Sequence, residues 1–174
     1  MPTKFKNEPF TDFTKPANKK AMEKALAKVR AELGQEHPIV IGGERITTTE
    51  KLYSYNPSKP TEVIGVHQKA NVDLAVKAVE TASKVFETWK TVPAKKRADY
   101  IFKAAALMRK RKFEYCAMLT YEVGKSWAEA DADTAEAIDF LEFYGREMLR
   151  LAAPQPLIKT AGEKNELRYI PLGV

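Results

Sequence analysis

Residues Tyr121–Leu151 read YEVGKSWAEADADTAEAIDFLEFYGREMLRL, a helix end, a tight break and then the longest amphipathic pattern in the chain. Gly124 makes the break, because glycine alone enters the left-handed region without a Cβ penalty. Ser126-Trp127-Ala128-Glu129 fits a capping box, in which hydroxyl and carboxylate each take one of the amides at the helix start. Apolar or small residues then recur at 127, 130, 134, 137, 138, 141, 144 and 148, the period of one helix face. The opposite face holds Asp131, Asp133, Glu136, Asp139 and Glu142, and a face so charged ordinarily lies in water.

Downstream, Ala153-Pro154-Gln155-Pro156 stops the helix. Leu157–Thr160 and Glu166–Pro171, on either side of a turn at Gly162, predict a β-hairpin over 153–171, and Leu172-Gly173-Val174 reads as a strand cut short. Upstream, Phe113, Cys116, Ala117 and Thr120 mark the inner face of a helix ending at Val123. Before it, Pro93 opens a helix with Ala98, Ile101, Phe102, Ala105 and Met108 inward. The basic run Arg109–Lys112 at its end complements the helix dipole. Asn71 caps a helix striped by Val72, Ala75, Val79, Ala82, Phe86 and Trp89.

Residues 37–70 alternate β-rich runs with turns. Ile39–Ile41 and Glu44–Thr48 flank Gly42-Gly43, while Lys51–Asn56 and Glu62–His67 flank Pro57-Ser58-Lys59-Pro60. Residues 1–36 combine an extended arm, with Phe5, Phe10 and Phe13 seeking a surface to cover, and a helix from Asn18 to Leu33. The chain is therefore expected to be mainly helical with short antiparallel β-hairpins.

The 174 residues carry a net charge of +6, with acids interleaved among the lysines throughout. That pattern makes a solvated surface rather than a nucleic-acid or membrane patch. One cysteine excludes an internal disulfide framework, and no stretch approaches the roughly 18 apolar residues of a spanning helix. MPTKFKNEPF has no apolar core of a secretory signal, so a cytoplasmic location is expected.

Chemistry is sparse. Cys116 sits inside a helical stripe, where a thiol behaves as a small hydrophobe. His37 and His67 lie far apart in strand segments without metal-ligand spacing, so no metal site is expected. Gly42-Gly43 is not followed by a helix and suits a hairpin turn better than a phosphate cradle. Asp133/Glu136 and Glu136/Asp139 are carboxylate pairs on one helix, with nothing beside them to complete a catalytic constellation.

Several strings resemble the N-terminal part of the aldehyde dehydrogenase superfamily: IGGE at Ile41–Glu44, YNPSKP at Tyr55–Pro60, PAKKRADYIFKAAALM from Pro93, EVGK at Glu122–Lys125 and YIPLGV at Tyr169–Val174. NEPFTDF (Asn7–Phe13), HPIVIGGE and AEAIDFLEFY (Ala135–Tyr144) are similar to its 1-pyrroline-5-carboxylate, or L-glutamate γ-semialdehyde, dehydrogenase branch. The resemblance spans essentially the whole chain. It implies an α/β aldehyde dehydrogenase fold in the intact protein and NAD-dependent oxidation of the amino-acid aldehyde by a cysteine thiolate beyond Val174. On this pattern 71–152 is the helical part of the cofactor-binding domain, 153–171 an oligomerisation hairpin joining like subunits, and 172–174 the start of the nucleotide-binding core. No catalytic or NAD-binding residue falls within the chain, which alone is expected to be inactive. Glu136 and Phe140 match substrate-side positions, the carboxylate for the amino group and the ring for the methylenes. The alternatives are a non-catalytic helical interaction module and a dehydrogenase of the same superfamily for another aldehyde.

Overall fold

Helix α5 (Trp127–Ala152) is the spine of the computed structural model, which describes residues 3–174. It starts as the local chemistry dictates. Gly124 ends the preceding helix at φ 71° and ψ 21°. The Glu129 N–H then donates to the Ser126 hydroxyl, and the Ser126 N–H to the Glu129 carboxylate at 3.1 Å. Helix α3 (Ala94–Lys110) packs along α5, while α4 (Lys112–Val123) packs between α5 and α1 (Pro16–Glu32). Small residues let these helices close up. A Cβ on Gly145 of α5 would stand 2.5 Å from Cε1 of Phe102, so the ring of α3 occupies the space that glycine leaves.

The core joins Met22, Ala25 and Val29 of α1 to Cys116 and Ala117 of α4 and Ala130 of α5, with Phe13, Phe113 and Trp127 packed around it. Beside the helices, β1 (Gln35–His37), β5 (Lys59–Gln68) and β4 (Lys51–Asn56) form a three-stranded sheet in that order. Strands β2 (Ile39–Ile41) and β3 (Glu44–Ile46) form a separate hairpin. Its two-residue turn has Gly42 at φ 58° and Gly43 at φ 87°, the paired positive values that match strand twist.

Four expectations change. Strand β1 crosses the boundary drawn at 36/37 and pairs in parallel with β5, a partner some thirty residues away that local turn chemistry cannot announce. That pairing puts His37 opposite His67, and their rings stack at 5.3 Å. Asn18 does not cap α1. The helix begins at Pro16, and Asn18 Nδ2 donates to the Asp12 carbonyl at 2.9 Å. Two extended arms replace the expected 153–171 hairpin. They meet at a turn in which Glu163 N–H donates to the Thr160 carbonyl at 3.2 Å, and they form no strand ladder.

Helix α2 (Val72–Trp89) starts as its sequence indicates, with Asn71 accepting from Leu74 N–H at 2.9 Å. Its apolar stripe is in register but uncovered: Val72 is 77% exposed, and no residue of the helix is buried. Within this chain, the β2–β3 hairpin meets α2 without covering that face.

Candidate substrate-side face of helix α5

Helix α5 presents three surfaces, and its acids do not form one solvated face. Asp131 is 1% exposed and stands 2.9 Å from Lys112 Nζ. It also takes the Thr11 N–H at 2.7 Å, while Lys112 donates to Pro9 O and Thr11 Oγ1. Asp139 accepts from Glu8 N–H at 2.6 Å and from Asn7 Nδ2 at 2.7 Å. Glu142 pairs with Arg146 and Arg109, Arg109 also holds Glu8, and Asp133 pairs with Lys125. Most of this acidic surface is thus the seat of the N-terminal arm, whose unpaired backbone amides need acceptors.

Electrostatics follow from that seat. Burial pushes the Glu142 carboxyl up, but hydrogen bonds from Arg146 and Arg109 outweigh it and hold the group below its ordinary value. The Glu8 carboxylate, burial notwithstanding, raises the Arg109 guanidinium further above its already high value. Lys112 does not extend the basic end of α3; it is the first residue of α4 and is buried.

Glu136 and Phe140, one turn apart, fall on a different surface. Glu136 is exposed, and Phe140 is 51% exposed with its ring stacked on Tyr144 at 5.9 Å. Phe140 and Tyr144 border a groove of about 690 Å³ shared with Trp89, Tyr100, Ile101 and Met148. The groove is apolar apart from Arg97, and Glu136 stands outside its lining. The aromatic run Phe140, Phe143, Tyr144 was the available signal for this wall, although Tyr144 was expected on the inner stripe. Trp89 and Tyr100 join it only through tertiary packing.

The remaining candidates are structural. Cys116 is fully buried with Sγ 3.5 Å from Thr134 Oγ1, and burial pushes its thiol pKa up, away from the thiolate a nucleophile needs. No group of three or more metal-ligating side chains converges among the described residues.

The aldehyde dehydrogenase family model matches residues 45–174. The chain belongs to the aldehyde dehydrogenase family. It is 54% identical over 170 residues to the 1-pyrroline-5-carboxylate dehydrogenase of Geobacillus sp. strain WCH70, and 55% identical over 170 residues to that of Anoxybacillus flavithermus. Each alignment covers 98% of this chain and 33% of the relative, so the chain spans about a third of the length of these curated relatives. The structure superposes on 1-pyrroline-5-carboxylate dehydrogenase from Thermus with bound NAD at a TM-score of 0.92 and 48% identity, covering 98% of this chain and 33% of that one.

The one strand-to-helix turn among the described residues, from β5 to α2, does not fit a dinucleotide. A pyrophosphate needs free amides at a glycine-rich strand-to-helix turn. Strand β5 runs into α2 through Lys69-Ala70-Asn71, without glycine, and the Asn71 side chain itself takes the Leu74 amide.

Proposed function

We propose that this chain is the N-terminal third of an NAD-dependent dehydrogenase that oxidises L-glutamate γ-semialdehyde, formed from 1-pyrroline-5-carboxylate, to L-glutamate in proline and arginine breakdown. The single supporting observation is identity above 50%, across nearly the whole chain, with curated relatives bearing that dehydrogenase name. The thiolate that attacks the aldehyde and the residues that hold NAD belong to the remaining two thirds of the protein. Cys116, buried against Thr134, is not the nucleophile.

The part played by this chain is recognition. Glu136 receives the substrate amino group, and Phe140 packs on the methylenes, so that a charged amino-acid aldehyde is preferred over a plain aliphatic one. Segment 153–171 joins like subunits. Its exposed, extended arms leave backbone groups for strand addition by a partner copy. The enzyme acts in the cytoplasm, in keeping with the absence of any helix long and apolar enough to cross a membrane among the described residues.

The test is kinetic. In the complete enzyme, Glu136→Gln raises KM for the semialdehyde by about tenfold, the order expected for a lost charge-assisted contact, and leaves KM for an uncharged aliphatic aldehyde within twofold. Equal changes for the two substrates would remove Glu136 from the recognition role.

A further inference from the structure

An unbroken series of aromatic contacts runs from the N-terminal arm to the substrate-side face. Phe5 meets Phe143 edge-on at 5.5 Å and an interplanar angle of 79°. Phe143 meets Tyr144 edge-on at 5.3 Å and 85°, and Tyr144 stacks on Phe140 at 5.9 Å and 24°. Three of these rings stand on α5 and are substantially exposed, so α5 alone leaves their torsions free. Edge-to-face geometry is directional, because the positive ring edge seeks the negative face. A ring fixed at one end therefore orients the next.

Phe5 is that fixed end, because the arm is pinned on both sides of it. Arg146 Nε donates to the Thr3 carbonyl at 2.9 Å, and Asp139 takes Glu8 N–H and Asn7 Nδ2. Asp139 lies immediately before Phe140 in sequence, so arm and ring are tied to the same turn of helix. We propose that Phe5 is a positioning residue for substrate selection: through Phe143 and Tyr144 it holds the Phe140 ring in the orientation that packs on the methylenes of the amino-acid aldehyde. This rests on the substrate-side reading of Phe140 given above. The arm thereby becomes part of the specificity apparatus without touching substrate.

The experiment uses the full-length enzyme. Phe5→Ala raises KM for the semialdehyde about three- to tenfold, the range to which an aromatic pair's coupling corresponds, and leaves kcat within twofold. Phe5→Tyr restores the wild-type KM, and Phe10→Ala, at an arm ring that is 75% exposed, leaves it unchanged. In a Phe140→Ala background, Phe5→Ala adds nothing, because the two act through one ring. If Phe5→Ala lowers Tm enough to unfold the enzyme, Phe5→Leu takes its place, keeping apolar bulk without the ring edge.

An unchanged KM for Phe5→Ala alongside a raised KM for Phe140→Ala overturns the inference and leaves the Phe140 reading intact. If Phe140→Ala itself leaves KM unchanged, that reading falls. The relay is then judged by the ¹⁹F resonance of 4-fluorophenylalanine placed at 140, where a shift on Phe5→Ala upholds the coupling and no shift overturns it.

Discussion

Arg109, Lys110, Arg111 and Lys112 look interchangeable in the sequence, yet their environments differ. Arg109 bridges Glu8 and Glu142, Arg111 pairs with Glu114, and Lys112 alone is buried, against Asp131. A buried carboxylate without its cation is far costlier than an exposed one. Lys112→Met therefore destabilises the full-length protein by about 3–5 kcal/mol in denaturant unfolding, and adding Asp131→Leu recovers part of the loss. Gly145 makes the opposite kind of prediction. A methyl there meets the Phe102 ring, which also lies 5.4 Å from the Arg146 guanidinium, so Gly145→Ala costs about 1–3 kcal/mol by overpacking despite better helix propensity. A Tm at or above wild type would show that α3 and α5 separate freely.

At the level of elements, α5 draws on a local cap and a non-local clasp, and the two respond to different perturbations. Ser126→Ala removes the capping box and costs about 1 kcal/mol, read as a lower Tm. The arm responds to acid. Glu142 has a folded pKa held below its unfolded value of about 4.3, so its contribution is fully present above that value and fades as pH falls through the lower folded one. Glu114 behaves alike: the Lys28 hydrogen bond is the main cause of its lowered pKa, and it ties α4 to α1. Stability measured from pH 6 down to pH 3 therefore declines at the acid end, and Glu142→Gln flattens part of that decline. An unaltered slope in the variant would mean that the clasp contributes nothing through this carboxylate.

For the molecule as a whole, apolar helix faces were legible but their cover was not. The α2 stripe and a groove of about 640 Å³ lined by residues including Val40, Val85, Phe86, Trp89 and Leu172 stand open. Surfaces of that kind associate in water, so the 174-residue chain alone is expected to self-associate in light scattering and to bind a hydrophobic dye. It is also expected to give no turnover with NAD and the semialdehyde. Sequence by itself determined what is local: the Gly124 break, the Ser126–Glu129 cap, the Asn71 cap, the Gly42-Gly43 turn and the helical periods, each specified by residues within a few positions of one another. Only the tertiary structure decided that Asp131 and Asp139 seat the arm, that β1 joins β5 in parallel and stacks His37 on His67, and that Phe5 reaches the rings of α5. Those contacts join residues roughly 30 to 140 positions apart. Their partners are chosen by burial, unpaired amides and ring geometry, which no short window of sequence contains.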